Sequence, residues 1–289
     1  YQSAQILFEK VKQNNNSHDV QSDCAYYIGI CAIHLNQNNA DELIEKFIKD
    51  YPTSSKTNQA YIEVAQYYFE QGKFPQALQY FDKVDENALT YEQTEKYTFQ
   101  KGYAYFTAGD KKTAADYFNK VIKLDENHEG AHNNKGNIFR KLGRLKESII
   151  SIQNAIDINP SYSEAHYNLG LSYLDLKKYQ NAKNSFLKAI QFDAENSDAH
   201  YNLGITLTEM RCFVDSIGSY NKAINLMSNQ EDYHFGRGLA YNHLSLYAES
   251  NIDFSKAYEL NPNLKFLLGH LLLGKLKTCD WANFHSLST

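Results

Sequence analysis

The sequence predicts an all-α fold: a right-handed superhelical solenoid of about seven helix–turn–helix repeats, with partial helices at its two ends. Three rows of residues carry the prediction. Gly136, Gly170, Gly204 and Gly238 stand 34 residues apart; His132, His166, His200 and His234 keep the interval, as do Ala155, Ala189, Ala223 and Ala257. A fixed period of that length marks stacked two-helix units. Two antiparallel helices of roughly 12–14 residues, each about 20 Å long, fill it together with short turns. Small residues belong where the two helices approach most closely, and Gly170, Ala182 and Ala189 supply them. Leu169, Tyr173 and Phe186 are the large apolar residues that fill the remaining space at helical spacing. One unit cannot bury its apolar face alone, so the units must stack.

Taken in order, residues 1–21 open on YQSAQILFEKVKQNNN, the second helix of a truncated repeat with Ala4, Phe8 and Val11 in its packing places. The other reading of this start is a natural N-terminal cap. Residues 22–128 hold three units. The first is marked by Tyr26, Gly29, Ala32, Ala40, Ile44 and Phe47 and closed by Pro52. In the second, Gly72 suits a left-handed turn and Pro75 suits the first turn of the second helix. DENALTYEQ (85–93) absorbs three extra residues, and the third unit returns to register at Gly102. Residues 129–264 are the four regular units. Residues 265–289 are read as one capping helix over 264–277, followed by a short helix opening at Asp280 and Trp281, with Trp281 packed on the cap.

The cleanest unit reads His166, Leu169, Gly170, Tyr173, Ala182, Phe186 and Ala189, with Pro160 and Pro262 closing neighbouring units. This pattern resembles the tetratricopeptide repeat (TPR) family, which implies a superhelix whose first helices line a concave groove. Within it, AHNNKG and the two copies of AHYNLG resemble the repeats of the O-linked N-acetylglucosamine transferase and SPINDLY family, and FLLGHLLLGKLKTCDW (266–281) resembles the segment that leads into the glycosyltransferase domain of bacterial relatives. That resemblance spans 129–281 and implies an asparagine ladder that holds substrate peptides. Residues 1–128, with YPTSS and AYIEVAQYYFEQGKFPQALQYF, loosely resemble repeats of bacterial envelope-associated proteins. The change of style near 128 reads either as divergence within one protein or as the join of an engineered fusion of two TPR proteins.

Composition narrows the function classes. The 29 basic and 34 acidic residues leave a net charge of −5, and no basic stripe is present, which argues against a nucleic-acid partner. The acidic excess lies before residue 129, with 13 basic and 18 acidic residues there against 16 and 16 after it. The longest apolar run, Phe266–Leu273, is too short to span a bilayer, so no membrane insertion is expected. Left uncovered, it offers a surface for self-association. The four cysteines form no CxxC pair, and Cys24 and Cys31 would lie about 10 Å apart on one helix. They read as ordinary thiols of a reducing compartment, which points to the cytoplasm.

The candidate site follows from the place before the Leu–Gly pair. It holds Asn134, Asn168 and Asn202, flanked by Gln100 and Gly236. Neighbouring first helices lie on the order of 10 Å apart, and an extended peptide advances about 3.3 Å per residue. One asparagine therefore meets such a peptide at about every third residue. Its donor and acceptor match a backbone amide without reading sequence. Asn133, Asn137, Tyr167, Tyr201 and Phe235 complete the candidate peptide-binding set, the rings either as groove anchors or as packing between repeats. Helix capping and bridging is the competing role for the asparagines. Asn133, Tyr167, Glu164 and Asp198 stand where a Lys/Arg clamp for a terminal carboxylate would be, which argues against that partner. The histidine rungs are too far apart to converge on one metal with bonds near 2 Å, so packing is expected of them. No cofactor and no catalytic constellation is expected. The sequence thus points to a non-catalytic scaffold for a protein or extended peptide. The alternatives are the substrate-recognition arm of a glycosyltransferase whose catalytic domain is absent, and an engineered fusion with no native ligand.

Overall fold

The computed structural model describes residues 1–280, so the expected helix onset at Trp281 and the packing of that ring lie outside the described residues. The described residues are all-helical, with sixteen α-helices and no strand. Seven helix pairs are preceded by one helix and followed by another, as the sequence predicts. The chain divides into two compact units, Tyr1–Ala131 and His132–Thr289.

In the first unit, α1 (Gln2–Asn14) precedes three pairs: α2 (His18–His34) with α3 (Ala40–Asp50), α4 (Thr57–Glu70) with α5 (Phe74–Phe81), and α6 (Tyr91–Thr107) with α7 (Lys111–Leu124). Pro75 lies at the start of α5, and Gly72 turns the chain before it at φ 70°. The extra residues of 85–93 form a 3-10 turn, Glu86–Ala88. Thr90 then starts α6 with a capping box, its hydroxyl accepting from the Gln93 N–H while the Gln93 side chain accepts from the Thr90 N–H. Phe47, Phe81, Tyr97 and Phe118 are almost completely buried along this unit.

The second unit is strictly periodic. Its first helices are α8 (Glu129–Lys141, which opens just before the division), α10 (Ser163–Asp175), α12 (Ser197–Glu209) and α14 (Glu231–His243). Its second helices are α9 (Leu145–Ile158), α11 (Tyr179–Phe192), α13 (Phe213–Leu226) and α15 (Tyr247–Leu260), and α16 (Leu267–Lys277) closes the described chain. The glycine of each first helix lies against a large side chain of the second helix. A Cβ added at Gly170 would lie 2.6 Å from the Phe186 ring, and one at Gly204 or Gly238 would lie 2.7 Å from Tyr220 or Phe254. Glycine at that place lets a fully buried ring from the second helix sit against the backbone of the first. First helices of neighbouring repeats touch along one face, α10 with α12 and α12 with α14, whereas second helices are splayed. On α16, Leu267 and Leu271 are buried, while Phe266, Leu268, Leu273 and Leu276 remain exposed. Among the described residues no helix is long and apolar enough to cross a membrane.

Candidate functional site

The first helices of the second unit carry the predicted asparagines, but not in one environment. Asn133 is fully buried and Asn168 is 4% exposed. The Asn168 Nδ2 donates to the Asn133 Oδ1 at 3.0 Å, and the Asn133 Nδ2 donates to the Glu164 Oε1 at 3.2 Å. Asn133, expected on the groove, is instead an interior bridge between α8 and α10. A residue one place before the ladder points back into the contact between repeats, where its amide replaces a packing side chain. Asn202 is half-buried, and its Nδ2 donates to the Tyr167 hydroxyl at 3.2 Å and to the Asp198 carbonyl at 2.8 Å.

Asn134 and Asn137 differ. They lie one turn apart on the same face of α8. Asn134 is only 6% exposed, and its side chain makes no hydrogen bond within the described residues. The Asn137 Oδ1 is enclosed and has no partner. Buried polar groups in folded proteins are nearly always hydrogen-bonded, so the enclosed, unpartnered Asn137 Oδ1 beside an unbonded Asn134 stands out.

The rings pack between helices. Tyr167 lies 5.9 Å from Phe186, Tyr201 is stacked 4.7 Å from Tyr233, and Phe235 sits 5.7 Å from Phe254 and from His270. All three stay half-buried. Burial pushes the Tyr167 hydroxyl up to about 12, with the Asp198 carboxylate adding to the effect and Arg140 opposing it. Burial, with Asp232 next in weight, also raises Tyr201. Both are therefore neutral donors at ordinary pH. Glu164, Asp198 and Asp232 repeat every 34 residues beside them and are exposed. Desolvation and the neighbouring Glu231 raise the Asp232 carboxyl above its ordinary value.

The histidine row has a structural task that the period alone did not reveal. His166 Nε2 pairs with the Pro160 carbonyl at 2.9 Å, His200 with that of Ala194 at 3.2 Å, and His234 with that of Ser228 at 3.1 Å. Each ring thus ties a first helix to the loop six residues upstream. Sequence reading missed a groove on the opposite face of the unit, of roughly 450 Å³, between α11 and α13 over Leu203 and Leu207. The signal that would have found it is Gly218, a glycine outside the repeat pattern in the middle of a helix.

Comparison with known proteins agrees with this architecture. Residues 23–54, 95–128 and 163–196 match models of the tetratricopeptide repeat, and residues 136–177 match a further TPR repeat model. No curated protein matches the chain. Among solved structures, a tetratricopeptide repeat protein from Parabacteroides merdae aligns at 13% identity over 86% of this chain and 98% of its own, with a TM-score of 0.66. MamA aligns at 27% identity over 56% of this chain and 94% of its own, TM-score 0.52. YrrB, described as a TPR protein with an unusual peptide-binding site, aligns at 20% identity over 60% of this chain and 89% of its own, TM-score 0.53.

Proposed function

We propose that this chain, which carries tetratricopeptide repeats, is a non-catalytic scaffold that holds an extended segment of a protein partner along the first-helix face of its second unit. The observation that carries the reading is the pair of unspent amides on α8, Asn134 and Asn137. Leaving a buried polar group unpaired costs about 1–3 kcal/mol. A rotation of the Asn137 side chain that brings its enclosed Oδ1 to a guest backbone N–H would recover that cost. An Asn134 amide presents both a donor and an acceptor, the complement of one peptide unit.

The remaining asparagines support the reading differently. Asn168 and Asn202 already hold partners on neighbouring helices and keep the face in register. Tyr167, Tyr201 and Phe235 add apolar edge for side chains of the guest. A peptide-binding site is attributed to YrrB, whose fold is the same. A second reading, a substrate-selecting arm of a protein glycosyltransferase, is favoured by the 34-residue row Asn134, Asn168 and Asn202 and uses the same face. It adds that the guest is an enzyme's substrate, whose hydroxyl side chains project away from the asparagines.

The test is a screen of extended peptides against the full chain, repeated with Asn134→Ala/Asn137→Ala. Binding should fall about tenfold or more, as two lost contacts of about 0.5–1.5 kcal/mol each allow, with helicity unchanged. Peptides that bind the variant and the parent equally well would remove the site from this face. Asn168→Ala is the contrasting variant: it leaves the buried Asn133 Oδ1 without its donor, so it lowers stability.

A further inference from the structure

The face of the second unit away from the asparagines carries the groove between α11 and α13. Its floor is Leu203 and Leu207 of α12, both buried, and its rims include Leu187, 45% exposed, and Val214, 72% exposed. Two large aliphatic side chains are thus held at the edge of an apolar trough with nothing over them among the described residues.

Gly218 is the second observation. It lies in the middle of α13, where glycine is unfavourable relative to any ordinary helix former. The other mid-helix glycines of the repeats are packed against side chains, by rings at Gly170, Gly204, Gly236 and Gly238 and by Ile44 and Ile152 at Gly29 and Gly136, but a Cβ at Gly218 would meet nothing within 4 Å among the described residues. The same place in the other repeats holds Ile150, Asn184 and Ile252. Packing therefore does not account for this glycine. Its effect is to lower one wall and let an incoming segment approach the α13 backbone.

Charge supplies the third. The chain carries a net charge of −5, yet α11 bears Lys183 and Lys188 and no carboxylate, and α13 bears Lys222 against a single Asp215. Lys183 and Lys222 line the groove together with one carboxylate, Asp215, and the two lysines enter no ion pair among the described residues. Lys222 stands one repeat after Lys188, so by register the two lysines lie toward opposite ends of the trough.

We propose that this groove docks an amphipathic helix of a protein partner, one that seats two or three large apolar side chains on Leu203 and Leu207 and places carboxylates against Lys183 and Lys222. Apolar anchors at i, i+3 or i+4, and i+7 form one face of such a helix, and it advances 1.5 Å per residue. The dock lies on a different face from the asparagine site and does not depend on it.

The experiment is selection of displayed helical 16-residue peptides on the full chain, followed by fluorescence anisotropy of the enriched peptides. Enriched sequences should combine that apolar spacing with flanking Asp or Glu. Gly218→Leu fills the trough at an exposed helical position, so circular dichroism should not change while affinity drops at least tenfold. Lys183→Glu/Lys222→Glu should weaken binding at least fivefold, and Asn134→Ala/Asn137→Ala should leave it unchanged. Failure to enrich such peptides, or full affinity for Gly218→Leu, overturns the dock. Sensitivity to Gly218→Leu without sensitivity to the lysine reversal overturns the acidic character of the partner.

Discussion

Arg237 occupies the place where the two preceding repeats hold Leu169 and Leu203, and Asp253 the place where they hold Ser185 and Ser219. Its Nε and Nη2 donate to the two oxygens of Asp253 at 2.7 and 2.6 Å, and Nη1 donates to Asn221. Asp253 is 1% exposed and also faces His234 Nδ1 at 3.3 Å. The hydrogen bonds it donates to Asp253 hold the Arg237 guanidinium above its already high ordinary range. A buried ion pair of this kind is weak evidence for stability, but breaking it from one side is costly. Arg237→Leu strands a buried carboxylate and should cost about 3–5 kcal/mol. The double variant Arg237→Leu/Asp253→Ser restores the pairing of the neighbouring repeats and should return to within about 1 kcal/mol of the parent or exceed it. Urea unfolding of both variants measures this; equal losses in the two would mean that the pair is not a unit. The break in the Leu–Gly signature at Arg237 was visible in the sequence, but its partner sixteen residues later was not, since nothing in the period links the two places. The asparagines teach the same lesson. Period places Asn134, Asn168 and Asn202 alike on their helices, but whether an amide is already spent depends on a residue of the preceding repeat, Asn133 for Asn168 and Tyr167 for Asn202.

The turn between the two helices of each repeat shows how a local requirement can hide under varied residues. One residue per turn is left-handed: Asn36, Gly72, Gly109, Gly143, Lys177, Arg211, Ser245 and, after α16, Cys279. From Gly109 onward they fall every 34 residues. Gly72 was legible because glycine is the default residue for positive φ. Lys177, Arg211 and Ser245 were not, because the repeat imposes the conformation whatever residue stands there. Left-handed backbone costs an L-residue roughly 1–2 kcal/mol, so the two kinds of turn should respond oppositely to substitution. Arg211→Gly, at φ 60°, should raise stability by up to about 1 kcal/mol, the gain being trimmed by the extra freedom of glycine in the unfolded chain. Gly143→Ala, at φ 75°, should lower it by about 1–2 kcal/mol. Thermal unfolding of the pair checks both signs. The helix pairs themselves were readable because their glycine and ring contacts recur within each repeat, as Gly170 with Phe186 and Gly238 with Phe254 show.

At the scale of the molecule, buried and half-buried phenols recur along the chain. The chain has 23 tyrosines, and burial is the leading cause that pushes Tyr105, Tyr167, Tyr220 and Tyr233 up to about 12. A free tyrosine loses its proton near 10. Below that value both folded and unfolded chains hold these protons, and the stability they contribute is fully present. Between about pH 10 and 12 the unfolded chain has released them while the folded chain keeps them, so stability falls as pH rises. Tyr220 is 2% exposed against Gly204 and Gly236, and its rise from near 10 to about 12 alone corresponds to on the order of 2–3 kcal/mol lost across that window. Its hydroxyl meets only the Thr208 hydroxyl at 3.4 Å, so Tyr220→Phe should fold with little penalty below pH 9 and show a shallower decline above pH 10. Urea midpoints taken from pH 9 to 12, alongside absorbance at 295 nm, test the account. Buried phenols should ionise only as helicity is lost. If every tyrosine titrates near pH 10 while the helices remain intact, the rings are reaching water through the native state and the alkaline limit of this fold is set elsewhere.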